Sequence, residues 1–364
     1  MPPLTLFRYI SLRTTFAVSA LLLALLGLVM LVDLIENLRF SDKFEGADFG
    51  FALAITLLRA PSLTEMMLPF IFLFASIWLF TQLNRQAEIA VMRSGGLSVW
   101  RILGPAAFVA AMAGFLVITV VDPAATSMRA QSERMKDDVR GKASSVMRVF
   151  GDGIWLRQRD AGNLLLINAR GFDAERKALS GVVMWRLDHE SNFIERIDAP
   201  EALLSNHAIE LHSARIKAAG DKLDHRSPIY AVPTSLVPAD LDERIEPPET
   251  LSIWRLPKFI LLAKAAGLPT ASYNIRFHDL CSTPLKLIAM VLIAAMFSLR
   301  PVRSGRGFEL FLYAVGCGFL LYIVSEVSTA LGESGAAPLA LAAWAPAVVA
   351  SLVAVSGLLY IEES

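Results

Sequence analysis

The sequence has little cysteine: Cys281 and Cys317 are the two in 364 residues. A disulfide-stapled fold is excluded on that count. Charge is scarce as well, at 19% of residues against about 25% in ordinary globular chains. Lys and Arg total 34, Asp and Glu total 34, and the net charge is zero. A protein built mainly to bind nucleic acid needs a basic excess to neutralise phosphates, so no nucleic-acid partner is expected. The usual signatures of catalysis are also missing. There is no G-x-x-x-x-G-K-[ST] phosphate loop, so the chain should not hydrolyse ATP itself. No H-E-x-x-H or C-x-x-C motif occurs, and the five histidines (His189, His207, His212, His225 and His278) are scattered. His207 and His212 flank a strand-like stretch and read as surface histidines rather than as a metal site. The serines around Ser144 read as loop residues, and no nucleophile stands with a base. No catalytic residue, metal or cofactor is expected, and the function belongs to transport or assembly.

What the chain has in excess is apolar sequence. Hydrophobic residues make up 55% and mean hydropathy is +0.52, which excludes a disordered chain. The charges are unevenly placed, with 43 of the 68 lying between Asp122 and Arg276. Long apolar runs fill the remainder. That is the composition of a membrane protein with one inserted polar domain.

A spanning helix needs about 20 apolar residues. Six runs qualify: Phe16 to Val32, Leu63 to Leu83, Ile102 to Val121, Pro284 to Leu299 (or from near Phe277), Phe308 to Ser328, and Pro338 to Tyr360. The first runs too long for a cleaved signal peptide and ends without a small-residue cleavage site. Arg8 and Arg13 precede span one, Arg85, Arg93 and Arg101 follow span two, and Arg300, Arg303 and Arg306 follow span four. Six spans put all three clusters on one side, the cytoplasmic one by the positive-inside rule. The insert then lies outside, in the periplasm of a two-membrane cell. Three regions follow: residues 1–121 with spans one to three, residues 122–276 as the exported domain, and residues 277–364 with spans four to six.

The insert opens with the helix-like ATSMRAQSERMKDDVRGKAS, which extends span three. Short β-type runs follow: GIWLRQ, NLLLINARGF, VVMWRLD, FIERIDA and AIELHSARIKA. Turn signals separate them at Asp152-Gly153, Ala161-Gly162-Asn163 and Ala219-Gly220-Asp221. Strands at this spacing predict an antiparallel sandwich or jelly roll. Five prolines between Pro228 and Pro248 predict an extended or edge segment. Leu256 to Ala266 reads as an amphipathic helix stopped by Gly267.

Residues 84–98 form a short helix-compatible stretch between spans two and three. Ala87, Ile89, Ala90, Val91 and Met92 alternate with Arg85, Glu88 and Arg93, and Gly95-Gly96 ends the pattern. Two readings stay open on physical grounds: a helix that docks on another protein and a loop lying on lipid.

The pattern Q-x-E-[IL]-x-V-M-x-x-[SG]-G, here Gln86 to Gly96, resembles the coupling-helix region of the lipopolysaccharide export permeases. Further features are similar to that family over essentially the whole chain. They are the opening helix with Arg8-Tyr9-Ile10, Val32-Asp33 at the end of span one, Pro61 and Pro69 around span two, Gly153-Ile154-Trp155 at the β-domain entry, Leu251-Ser252, Pro284-Leu285, and Arg300 to Ser304. The V-D and G-I-W features look more like the G-type than the F-type of the two paralogous subunits.

The resemblance implies an α-helical integral membrane protein with six transmembrane helices and an inserted all-β periplasmic jelly-roll domain, in the inner membrane of a Gram-negative bacterium. It implies a heterodimer with the paralogous permease subunit, a cytoplasmic ATPase dimer that spends the ATP, a single-span periplasmic bridge protein, and lipopolysaccharide as cargo. It places ATPase coupling on Arg85, Glu88 and Arg93, with Glu88 paired to a basic group of the ATPase. Lipid A carries phosphates, so basic groups near the outer face are candidates for lipid contact: Arg39, Lys43, Arg59, Arg129, Arg134 and Lys136. The alternative for each is a headgroup anchor. The family has lysines within and just after span one, whereas Met30 to Asn37 here reads MLVDLIEN. Charges inside a membrane usually face a cavity or a partner. Asp33 and Glu326 are therefore expected to line the subunit interface, and Lys286 to snorkel outward. A membrane-anchored sensor or scaffold is the competing reading; the end of the chain at Glu362-Glu363-Ser364 leaves it no cytoplasmic signalling domain.

Overall fold

The long apolar runs become long helices. The computed structural model describes residues 4–44, 48–139, 146–150, 153–160, 163–173, 176, 178–188, 193–205, 208–218, 225–233, 247–265, 268, 270–299 and 307–363. Outside the described residues lie the third basic cluster (Arg300, Arg303, Arg306) with the rest of the Arg300 to Ser304 motif. The turn residues Asp152, Ala161, Gly162 and Ala219 to Asp221, residues 234–246, Ala266, Gly267, His189, His207 and Ser144 lie outside them too.

Helix α1 runs from Leu4 to Ser41, 38 residues. The Arg8-Tyr9-Ile10 segment, expected as a separate short helix, is continuous with span one. The polar residues between them do not break the helix, because Thr14 and Thr15 turn their hydroxyls back to the Ile10 and Ser11 carbonyls. Helix α2, Phe49–Arg85, is capped by the Asp48 carboxylate, which accepts from the Phe51 amide at 2.9 Å. Pro61 therefore lies inside α2 with Pro69. Each proline removes one backbone donor, which spanning helices tolerate because neighbouring groups satisfy the freed carbonyls. Helix α3, Glu88–Ser94, follows after Ala87 at φ 58°. It ends where Gly96 takes φ +79° and the Leu97 amide reaches back to the Met92 carbonyl.

Span three is built from α4, Val99–Leu116, a π-helical turn over Val117–Val121, and α5, Asp122–Val139. The helical extension into the insert is as the sequence predicts. After the β strands come α6 (Leu256–Ala265), α7 (Ala271–Ser298), α8 (Gly307–Glu333) and α9 (Leu339–Glu363). Among the described residues, six helices are long and apolar enough to cross a membrane.

Two compact units result. The first comprises residues 1–43, 48–129 and 274–364, and the second comprises 44–47 and 130–273. The core of the helical unit is made by Phe72, Leu79 and Phe80 of α2, Ile102 and Leu103 of α4, and Leu287, Met290, Val291 and Ala294 of α7. At Gly114 a Cβ atom would sit 2.5 Å from the Pro284 Cα, so α4 and α7 touch backbone to backbone. The cover is uneven. In the most apolar stretch of α2 50% of residues are buried and in α7 56%, whereas α1 has 6% and α8 has 11%.

The β unit is an antiparallel sheet ordered β1-β2-β3-β5-β6-β7-β8, with β4 also paired to β5. The strands are β1 (Val146–Phe150), β2 (Gly153–Asp160), β3 (Asn163–Ala169), β4 (Gly171–Asp173), β5 (Ala178–Leu187), β6 (Phe193–Ser205), β7 (Ala208–Ala218) and β8 (His225–Pro233). Strand β8 occupies an edge and carries Pro228 and Pro233, as expected of the proline-rich segment. Leu156, Ile167, Met184 and Ile197 stand opposite one another on four neighbouring strands and are almost completely buried. A single sheet dries one face in this way by rolling so that its halves cover each other.

The roll has a visible corner. Arg170 lies opposite Gly181, Gly181 opposite Pro200, Pro200 opposite Ser213, and Ser213 opposite Pro228, in one row across the sheet. Gly181 and Ser213 both have positive φ, 61° and 53°. At this row the alternation of buried side chains slips by one residue. Val182 and Met184 give way to Leu179, Ile197 and Ala199 to Ala202, and Ile209 and Leu211 to Ala214. A one-residue slip in period-two chains exchanges faces, so each strand turns over at the same line and the sheet bends there.

Candidate coupling and lipid-handling sites

Charged side chains in the helical unit gather at the two ends of the bundle. At one end α1 meets α3. The Tyr9 hydroxyl donates to Glu88 Oε2 at 2.9 Å and lies 3.2 Å from Oε1. Arg13 Nη1 donates to Glu88 Oε1 at 3.2 Å and to Gln86 Oε1 at 3.4 Å. The Arg13 guanidinium also sits over the Tyr9 ring, 4.7 Å from its centre. Of the proposed coupling residues, Glu88 is thus engaged inside the chain, while Arg85 and Arg93 are exposed. Ile89 and Met92 pack α3 onto the core, leaving Val91 outward. Nearby, the Asn84 amide donates to the Ser298 carbonyl at 3.1 Å and joins the ends of α2 and α7.

At the other end α1 meets α2. Asp33 is buried, and its two oxygens accept from Arg59 Nη1 at 2.6 Å and from Asn37 Nδ2 at 2.8 Å. Asn37 also bonds Thr56 at 3.0 Å. Asp33 and Arg59, singled out separately in the sequence, are one ion pair, and the Asp33 carboxylate is directed at α2 of the same chain. Arg39 and Lys43 are exposed beyond it.

A second cluster joins α2, α5 and α7. Asp122 is fully buried and accepts from Arg276 Nη2 at 2.9 Å. Glu65 of α2 interacts electrostatically with Asp122, Arg276 and Arg129. Glu65 Oε1 and Arg276 Nε are buried without a hydrogen-bond partner among the described residues. The π-helical turn immediately before Asp122 inserts one residue into the helix and so sets which way α5 faces. Arg129 is half-buried here, whereas Arg134 and Lys136 lie further along α5, in the β unit. Glu326 is exposed on α8, and Lys286 contacts Asp279 two turns earlier on the same face of α7.

Among the residues that form these clusters, Tyr9, Glu65, Asp122, Asp279 and Arg276 were not picked out in the sequence as site candidates; Arg13 served only to set orientation. Glu65 carries the one signal that could have found it, a carboxylate inside the otherwise apolar Leu63 to Leu83 run.

Six spanning helices, an inserted β domain and polar clusters that join helices to one another define a multi-pass membrane protein of the transporter class. The chain belongs to the family described as lipopolysaccharide export system permease LptF/LptG, whose model matches residues 8–360. It is 24% identical over 331 residues to the lipopolysaccharide export system permease protein LptG of Haemophilus influenzae, covering 89% of each chain. It is 22% identical over 319 residues to the LptG of Escherichia coli K12, covering 83% of this chain and 85% of the relative.

Proposed function

We propose that the chain is a membrane permease subunit of an ATP-driven lipopolysaccharide exporter. It extracts lipopolysaccharide from the inner membrane and passes it to a periplasmic bridge. The observation that carries this reading is the uneven cover of the spans. Few residues in the apolar middles of α1 and α8 are buried in the single chain, 6% and 11% of each stretch. A second, paralogous subunit facing them would enclose a cavity lined by apolar helix surface, suited to acyl chains. Two relatives named LptG support the G-type of the pair.

The energy enters from outside the chain. A cytoplasmic ATPase dimer docks on α3 and the end of α2 through exposed Arg85, Val91 and Arg93, and closes the cavity from below. The chain itself holds no cofactor and performs no chemistry in this scheme. Arg39 and Lys43 meet the lipid phosphates as the lipid leaves the membrane; Arg129, Arg134 and Lys136 mark its way along α5. The rolled sheet, with its dry inner face, continues toward the bridge together with a single-span partner.

Photo-crosslinkers at Arg39 and Trp155 test the path. Capture of lipopolysaccharide at both positions is the expected outcome, and capture of phospholipid alone overturns it. Glu88→Lys is expected to weaken co-purification of the ATPase and to slow growth. Wild-type behaviour in both would remove α3 from the coupling role.

A further inference from the structure

We infer that Tyr9 and Arg13 are coupling residues: they fasten the coupling helix α3 to the first spanning helix, so that a push on α3 moves α1. This rests on the reading of the chain as an ATP-driven permease. It adds the route by which the push reaches the cavity wall.

Three donor contacts converge on one carboxylate. The Tyr9 hydroxyl lies 2.9 Å and 3.2 Å from the two Glu88 oxygens, and Arg13 Nη1 lies 3.2 Å from one of them. The Arg13–Gln86 contact extends the attachment one step toward α2. The Arg13 guanidinium over the Tyr9 ring holds the two donors in one arrangement. A carboxylate has about four acceptor positions. Glu88 therefore keeps room for one cation from an ATPase while it is held by α1, so docking and transmission can share the residue.

Helix α1 is suited to carry the motion. It is unbroken from Leu4 to Ser41. Its buried residues are Ile10, Thr14, Ala17 and Val18 near the start and Asp33, Asn37 and Ser41 near the end, with none between Val18 and Asp33. At 1.5 Å per residue, the Glu88 contact at Arg13 and the Arg59 contact at Asp33 are about 30 Å apart, roughly the thickness of the hydrocarbon core. The helix is thus tied by polar contacts at two ends; between them Leu21, Leu22 and Leu25 pack against the core from one side, and no residue is fully buried. Coupling between distant sites needs such a contiguous element with a partner at each end.

The test uses the complex of the permease pair with its ATPase, purified and placed in vesicles containing lipopolysaccharide. The readout is lipid released per ATP hydrolysed, a ratio that a merely structural contact would not change. For Tyr9→Phe combined with Arg13→Gln, the ATPase is expected to stay bound and hydrolysis to continue. The ratio is expected to fall at least about fivefold, the lower end of typical coupling factors. Arg13→Lys, which keeps a cation beside Glu88, is expected to retain more of the ratio than Arg13→Gln alone. That pair also supplies the answer where the double variant does not accumulate. An unchanged ratio in the double variant, or an Arg13→Lys ratio as low as that of Arg13→Gln, overturns the inference. Loss of the ATPase from the double variant also overturns it, because the contact would then serve docking. If the native chain brings down no ATPase, the permease reading itself fails, a result separate from either.

Discussion

Helices α2 and α7 bury about half of their apolar stretches, whereas α1 buries little of its middle and adds polar contacts at its ends. In the first group, Phe72, Phe80, Leu287 and Val291 are fully or almost fully buried, and α7 meets α4 backbone to backbone at Gly114. In α1 no residue between Val18 and Asp33 is fully buried, although Leu21, Leu22 and Leu25 pack against the core; Ile10, Ala17 and Val18 seat its start, and Tyr9, Arg13, Asp33 and Asn37 add polar attachments. Helix α8 resembles α1: its close approach to α2 is made by small residues, with Gly318 against Leu73. Packed interiors are close to crystalline density and resist small displacements. Polar contacts at helix ends can exchange partners at a smaller penalty. The difference separates a frame, made of α2, α4 and α7, from helices that bury less of their surface in the single chain.

The strongest test of the frame is the pair that ties the roots of α5 and α7. Arg276→Met leaves the fully buried Asp122 without its arginine. Breaking a buried pair in this way costs about 3–5 kcal/mol, and the variant is expected to lose thermal stability in detergent and to accumulate poorly. Replacing both partners, Asp122→Leu with Arg276→Met, is expected to recover most of the loss. An Arg276→Met chain as stable as the native one would remove this cluster from the frame.

Glycines on the two kinds of helix sharpen the contrast. At Gly114 an added side chain meets the Pro284 backbone, whereas at Gly316 on α8 nothing lies within 4 Å. Gly114→Leu is expected to destabilise the isolated chain by about 1–3 kcal/mol through overpacking. Gly316→Leu should leave the isolated chain unchanged and instead weaken its association with a second subunit. Melting temperatures and co-purification of the two variants, measured together, would refute the division if both behaved alike.

The frame was only partly legible in the sequence. Apolar runs announced six spans because their length alone meets the membrane thickness. Strands β2, β3, β5, β6 and β7 announced themselves as short β-type runs between turn signals. Strand β1 lacked such a signal, following a polar helix with no clear boundary at Val146. The corner of the sheet was hidden for a different reason. Gly181, Pro200, Ser213 and Pro228 look like unrelated irregularities until the strand register sets them side by side. The polar contacts were hidden by distance along the chain. Asp33 and Arg59 are 26 residues apart, Arg13 and Glu88 are 75, and Asp122 and Arg276 are 154. A charge in an apolar run can be noticed in a sequence, but its partner is chosen by packing.

The β unit offers its own version of the comparison, between flat strand and corner. Gly181 has φ +61°, and a Cβ there would lie 2.9 Å from the Arg170 side chain. Gly181→Val adds a β-branched residue to a left-handed position, a strain of about 1–3 kcal/mol. Ser180→Val, one residue away on an ordinary exposed strand position, should change stability by less than about 0.5 kcal/mol. Equal effects at both positions, read from thermal unfolding of the full chain, would mean that the row is not a corner.

The last expected effect has the opposite sign. Glu65 sits in the frame beside Asp122 and Arg276, with a buried Oε1 lacking a hydrogen bond among the described residues. A buried polar atom without a partner costs about 1–3 kcal/mol, so Glu65→Leu is expected to raise the melting temperature of the isolated chain modestly. A melting temperature that stays the same or falls would mean that Glu65 is satisfied where it stands.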